Sequence, residues 1–198
     1  MLCFSQKRNI LVYKTDKEWW SIKQTISYWQ TVGFIFTGVV GTLLHFLFDW
    51  TEGNAVMALF SAVNESIWEH TKLLYYPMLI FAFVECANWG KEIPQFWCIK
   101  LMGILTGLTL IPTIYYTYTG IFGVSVDWLN IAIFFFAAAA AFYLETKLFA
   151  KEYPCRIASG KAFIALCLIG MVFTVLTFAP PKIPFFRDPI TGTYGFQK

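Results

Sequence analysis

Apolar positions along this chain gather into five long runs, at about 29–49, 67–88, 97–118, 126–148 and 161–179, each near the roughly 20 residues that cross a hydrocarbon layer. None of the runs alternates apolar and polar residues with the period of a strand. The pattern predicts an all-α, polytopic transmembrane bundle of five spanning helices. Between the first two runs, residues 55–61 are too short to cross and apolar enough to enter the membrane, which predicts a re-entrant or interfacial segment there. Non-helical backbone at such depth is tolerated only where protein or a wet cavity surrounds it. The chain reads as a single integral membrane domain over 1–198. Residues 1–28 form a cytoplasmic or interfacial segment, 29–179 the bundle, and 180–198 an extracytoplasmic tail packed over it.

Composition agrees with this reading: 58% of residues are hydrophobic, 20% aromatic and only 14% charged, so water is not the main solvent. The net charge of +3 is small and scattered, which excludes a nucleic-acid partner. Its placement bears on topology. Connections one and three carry no Lys or Arg, whereas the second holds Lys91 with Lys100 at its edge and the fourth holds Lys147, Lys151, Arg156 and Lys161. By the positive-inside rule the amino terminus is cytoplasmic, although Lys182, Arg187 and Lys198 in the tail run against it. Trp29, Trp89 and Trp97 then mark inner interfaces, and Trp50, Trp68 and Trp128 outer ones. Trp19 and Trp20 belong to an amphipathic stretch expected to lie on the inner surface. The first 28 residues show no signal-peptide pattern. Cys3, Cys86, Cys98, Cys155 and Cys167 all map to the inner side, and their odd count and irregular spacing predict free thiols. Gly103, Gly107 and the run 137–141 of alanines predict close helix contacts, and Pro77 and Pro112 predict bends in helices two and three.

Candidate chemistry concentrates at one end. Ionisable side chains at membrane depth are costly and mark functional sites by default. His45 and Asp49 lie one turn apart at the outer end of the first run, and Glu65, Glu69, His70 and Lys72 open the second. Consecutive antiparallel helices bring these ends together, so His45 and Asp49 are expected to face Glu65 and Glu69. His70 sits about 100° around the helix from Glu69, so one of the two must serve another direction. Ser61 or Asn64 is expected to cap the second helix. Asp127, Arg187 and Asp188 lie on the same side, and the tail that carries the last two is expected to act as a lid.

Three readings of these residues stand open. A single divalent metal, Zn2+ most naturally, would be held by His45, Asp49, Glu65, Glu69 or His70 with one position left for water. A metal-free pocket of Asn64, Glu65, Glu69, Lys72, Asp127, Arg187 and Asp188 would instead take a small polar ligand, ion or lipid headgroup. The third possibility is that the charges neutralise one another and hold the helices in register. Glu85 and Glu145 are expected to pair with Lys91 and Lys147 at the inner interface.

Three segments, the HFLFDW of 45–50, the FSAVNESIWEHTK of 60–72 and the DPITGTYG of 188–195, resemble a family of small multi-pass bacterial membrane proteins with no assigned function. The resemblance implies a bacterial plasma membrane and groups the three segments at one site, but it carries no activity. Binding or transport of a polar ligand is the leading expectation. A membrane-embedded hydrolase or transferase acting on a lipid-linked substrate, with Glu65 or Glu69 as base, is the alternative, and an accessory subunit packed on a partner or a second copy is the third.

Overall fold

A computed structural model describes residues 16–151 and 155–197. Five helices make up the described chain: α1 (Asp16–Trp50), α2 (Ile67–Asn88), α3 (Phe96–Phe122), α4 (Asp127–Ala150) and α5 (Ser159–Phe178), with single 3-10 turns at Met57–Leu59, Gly90–Glu92 and Pro184–Phe186. Helices α1 to α4 pack as a square in chain order, with α4 closing back on α1, and α5 lies against α3 and α2. The square's shared interior is built from Leu74, Met78, Phe81, Ile104, Ala137, Ala138, Ala141 and Phe142.

Four helices, α1, α3, α4 and α5, are long and apolar enough to cross a membrane. The fifth expected span, α2, falls short because Glu69, Lys72 and Glu85 lie along it. Those charges are tolerated because α2 turns inward. Glu69, Lys72 and Glu85 are all buried, together with most of the helix. Exposed apolar surface, compatible with contact to lipid, lies on the other helices at residues such as Ile35, Val39, Ile131, Phe136, Ile164 and Val175, and on α2 at Ile80, Phe83 and Val84.

Helix α1 is a single unit of 35 residues, about 52 Å long at 1.5 Å per residue. The polar stretch that contains Trp19 and Trp20 therefore continues the first span instead of forming a separate element, and the side chains of 16–22 lie outside the described residues. Cys3 and the cations before residue 16 lie outside them too. The helix stops at a left-handed turn in which Gly53 (φ +74°) donates its N–H to Phe48 O at 3.0 Å.

Small residues set the helix separations. A Cβ on Gly41 would stand 2.6 Å from Leu73 O, so α1 meets the backbone of α2 there, and one on Gly107 would stand 2.7 Å from Leu74 Cδ2. A Cβ on Gly103 would overlap the Glu145 carboxyl. These close approaches are all within one chain.

Two expectations are corrected at the end bearing the 89–95 connection. Trp97 is buried among Phe83, Phe96 and Phe163 instead of marking a headgroup boundary. Cys98 and Cys155 form a disulfide, with Cα atoms 6.4 Å apart, and Cys167 is the free cysteine of the described residues. The sequence hid the pair because its members lie 57 residues apart, one in the first turn of α3 and the other in the connection before α5. Disulfides belong to oxidising compartments, so this bond and the Lys/Arg distribution point to opposite sides for the same end of the bundle.

Candidate functional site

The stretch 64–72 divides as it enters α2. Ser66 is the N-cap, its hydroxyl accepting the Glu69 N–H at 3.4 Å, while Asn64 Oδ1 accepts the Ser66 N–H at 2.9 Å. Neither Ser61 nor Asn64 caps the helix as the sequence suggested. Ser61 instead donates to Leu44 O and accepts the Phe48 N–H, which fastens the 51–66 connection to α1. Once α2 starts at Ile67, its 100° step per residue sends Glu69 and His70 in different directions.

His70 turns toward α1. Its Nδ1 lies 2.9 Å from Ser66 O, and a carbonyl only accepts, so Nδ1 carries a hydrogen. Nε2 then faces Glu65 Oε2 at 3.3 Å, and His45 Nε2 reaches Glu65 Oε1 at 3.7 Å from across the helix pair. The imidazole centroids are 5.4 Å apart. One ligand atom from each of His45, Glu65 and His70 falls within 4.8 Å of the others. With Nδ1–H committed to Ser66, either a second proton or a cation must lie between Nε2 and the carboxylate. The His70 hydrogen bond holds the Glu65 carboxyl below the usual carboxylate range. The group is open to solvent: side-chain exposure is 30% for His45, 29% for His70 and 41% for Glu65.

Glu69 and Lys72 turn away and are sealed. Lys72 Nζ meets Glu69 Oε2 at 2.5 Å, Ala58 O at 3.0 Å and Thr177 Oγ1 at 2.9 Å, which uses all three ammonium hydrogens. Glu69 also accepts from Val63 N at 3.1 Å and from the Thr177 hydroxyl. The pair ties the 51–66 connection, α2 and α5 into one unit at 0–1% exposure. The expected facing of His45 toward Glu65 is present, whereas Glu69 belongs to this second group. Asp49 is exposed, one turn beyond His45, and lies outside the histidine cluster.

The tail packs over this end. Phe196 donates its N–H to Thr177 O, Asn64 Nδ2 donates to Gly195 O, and Phe186 stacks near Trp68. Asp188 is buried and accepts from Ile190 N and the Thr191 hydroxyl, so its carboxylate closes its own turn. Gly195 needs its left-handed backbone (φ +61°), since a Cβ would stand 2.6 Å from Thr177 O. Arg187 is exposed and lines a pocket of about 330 Å³ with Ile67, Tyr115, Tyr116, Pro184 and Pro189. Asp127, exposed at the first turn of α4, is not part of either group.

A model built for one protein family matches residues 18–196, which takes in all five helices and the tail turn. The chain belongs to DUF6512, a family of unknown function. No characterised protein and no solved structure matches it. Membership in DUF6512 therefore brings no reaction or ligand, and the chemistry must be read from the side chains themselves.

A second polar group lies at the opposite end, and the sequence misread it. Lys100, fully buried on α3, is ion-paired with Glu85 of α2 and with Glu145 of α4 at 2.6 Å. Gln30 of α1 donates to Glu85 Oε1 at 2.6 Å. Lys91 and Lys147, the partners expected from proximity in sequence, are not involved; Lys147 lies over the Tyr143 ring. Gly103, one turn from Lys100 on α3, was the available clue, because its missing side chain admits the Glu145 carboxyl.

Proposed function

We propose that this protein is a membrane-embedded receptor for a divalent transition-metal ion, Zn2+ most naturally, held by His45, Glu65 and His70. One observation carries the reading: two imidazole nitrogens converge on one carboxylate, and the far nitrogen of His70 is fixed by a backbone carbonyl. Two histidines, one glutamate and an open position form the ligand set of catalytic zinc sites, and anchoring the outer ring nitrogen is the usual support for a metal-binding imidazole. The exposed edge of Glu65 leaves room for water or a polar ligand. Asp49 is near enough in sequence to tune the field of the site without entering it. Under this reading the end bearing the 51–66 connection is extracytoplasmic, the 51–66 connection borders the wet cavity, and the bundle sits in a bacterial plasma membrane.

The test is elemental analysis and calorimetric titration of Zn2+ into chelator-treated protein. One equivalent per chain is expected, with proton release on binding as Nε2 of His70 gives up its hydrogen. Binding that survives both His45→Ala and His70→Ala would overturn the assignment.

A second reading is favoured by the Arg187 pocket. A guanidinium beside two tyrosines and three apolar side chains suits an anionic lipid headgroup whose acyl part lies along Ile67 and the prolines. Combined with a metal, it would supply the substrate half of a lipid-directed hydrolase. Arg187→Gln should then weaken binding of a short-chain anionic lipid to the detergent-solubilised protein while leaving binding of a zwitterionic one unchanged, and unaltered binding of the anionic lipid would reject this reading.

A further inference from the structure

The interior at the 89–95 end holds more negative charge than positive. Four helices contribute to it: Gln30 from α1, Glu85 from α2, Lys100 from α3 and Glu145 from α4, all buried. The nearby charged residue of α5, Lys161, is exposed. With both carboxylates ionised, one ammonium leaves a surplus of one negative charge. An unbalanced charge in such a place is among the most costly arrangements a protein can hold, and a group so placed neutralises itself by binding a proton.

Two further observations point the same way. Glu145 Oε1 and Gln30 Oε1 are buried and have no hydrogen-bond partner. The Gln30 amide is anchored in the cluster through Nε2, so its oxygen is an acceptor held beside a carboxyl. Acceptors lacking a donor around a surplus negative charge are what remains when one hydrogen is missing from the count. The group is also dry. Trp89, Phe96 and Phe149 pack edge to face and tilted, with centroids 5.0–5.8 Å apart. The rings of Phe96, Phe142 and Phe149 lie 5.6–5.8 Å from Lys100 Nζ.

From this geometry we infer that Glu85, Lys100 and Glu145 form a proton-binding site inside the helical bundle, which holds one proton between its two carboxyl groups and exchanges it with water. Binding takes the triad from a net charge of −1 to zero, with Lys100 remaining an ammonium. The proton is the only ligand required, and the site is independent of the histidine cluster at the other end. A bundle that loads and unloads such a proton has the element needed to couple proton binding to an event elsewhere in the membrane.

Infrared difference spectroscopy on the full chain in lipid nanodiscs tests this. At neutral pH the wild-type protein should show a carboxylic-acid C=O stretch that shifts in D2O and fades as the solution is made alkaline. Both Glu145→Gln and Glu85→Gln should lose that band, because each leaves a neutral carboxylate–ammonium pair. The amide still fills the space and removes the surplus charge, so each variant should melt no lower than wild type. The inference is overturned by a flat wild-type-minus-variant spectrum in the carboxylic-acid region, by a band insensitive to D2O and alkali, or by failure of both glutamine variants to fold.

Discussion

Glu65 and Glu69 are separated by one helical turn, yet they belong to different physical environments. Glu65 stands before the first turn of α2, 41% exposed, between two histidines. Glu69 is 1% exposed and locked to Lys72, Thr177 and the backbone of Val63. On one helix two residues at this spacing would share a face, so the difference arises because Glu65 lies in the connection ahead of the Ser66 cap while Glu69 is carried by α2 itself. The face that meets α1 near the tail stays open to water, and the face that meets α5 is covered by the 51–66 connection. A run of ionisable residues that looks like one site in sequence is therefore an open group with unsatisfied ligand capacity beside a closed group with none. The first is suited to binding, the second to holding α2, α5 and the connection in place.

The sharpest way to break that contrast is Lys72→Met. Removing one member of a sealed pair strands the other, which costs about 3–5 kcal/mol, whereas replacing both with apolar residues is often near neutral. Lys72→Met should thus lower the thermal unfolding midpoint in detergent severely, and Glu69→Leu/Lys72→Met should recover most of the loss. If the single variant melted like wild type, the pair would not be dry. Metal binding by any variant that folds should be unchanged, because no ligand has been touched.

Next in size is Gly41→Ala, which acts on both groups through packing. Its Cβ would stand 2.6 Å from Leu73 O, one turn before His45. Overpacking of this kind costs about 1–3 kcal/mol. Since α1 can relieve the clash only by moving away from α2, His45 should also withdraw from Glu65, and the affinity for Zn2+ should fall with stability. Full affinity in a destabilised Gly41→Ala protein would show that the α1–α2 separation does not set the metal geometry.

His45→Ala and His70→Ala reverse the pattern. Partly exposed groups contribute little to folding, so each should shift stability by less than about 1 kcal/mol. Loss of a direct ligand should nevertheless weaken Zn2+ binding by about 100-fold or more, beyond the 10–100-fold that outer-sphere changes cost. A large stability loss with unchanged binding would move the histidines into the structural group.

The helices were legible in sequence because membrane-spanning length and apolar composition are local properties. So was the meeting of His45 with Glu65, because consecutive antiparallel helices leave little freedom at their shared end. Other features were hidden for want of rotational information. Periodicity shows that Glu69 and His70 diverge but not which of them faces α1. Lys100 reads as an interfacial lysine until Gly103 and Glu145 are placed beside it, and the three helices that form the triad contribute one residue each. The Cys98–Cys155 bond joins the first turn of α3 to the connection before α5, whose proximity depends on α3 and α5 being neighbours. That bond also gives a direct test of orientation. A membrane-impermeant thiol reagent applied to sealed cells should label Cys155, which is partly exposed, only after reduction if this end faces outward. Labelling that requires permeabilised cells would keep the end inside, in line with the lysines.

The smallest effect is expected from Asp49→Asn, and it tests the boundary of the open group. Helical spacing alone pairs Asp49 with His45 on one stripe of α1, which made it a natural ligand. In the structure it lies exposed beyond the cluster, where solvent and salt screen its charge. Glu65 remains ionised well into the acidic range because His70 holds its carboxyl low. The loss of Zn2+ on acidification should therefore follow protonation of the imidazoles and not of the carboxylate. Asp49→Asn should leave that midpoint nearly in place and change affinity by less than about threefold. A hundredfold loss would mean that the ion sits between His45 and Asp49 on α1 alone. The open group would then extend away from α2, and Glu65 would be a bystander to it.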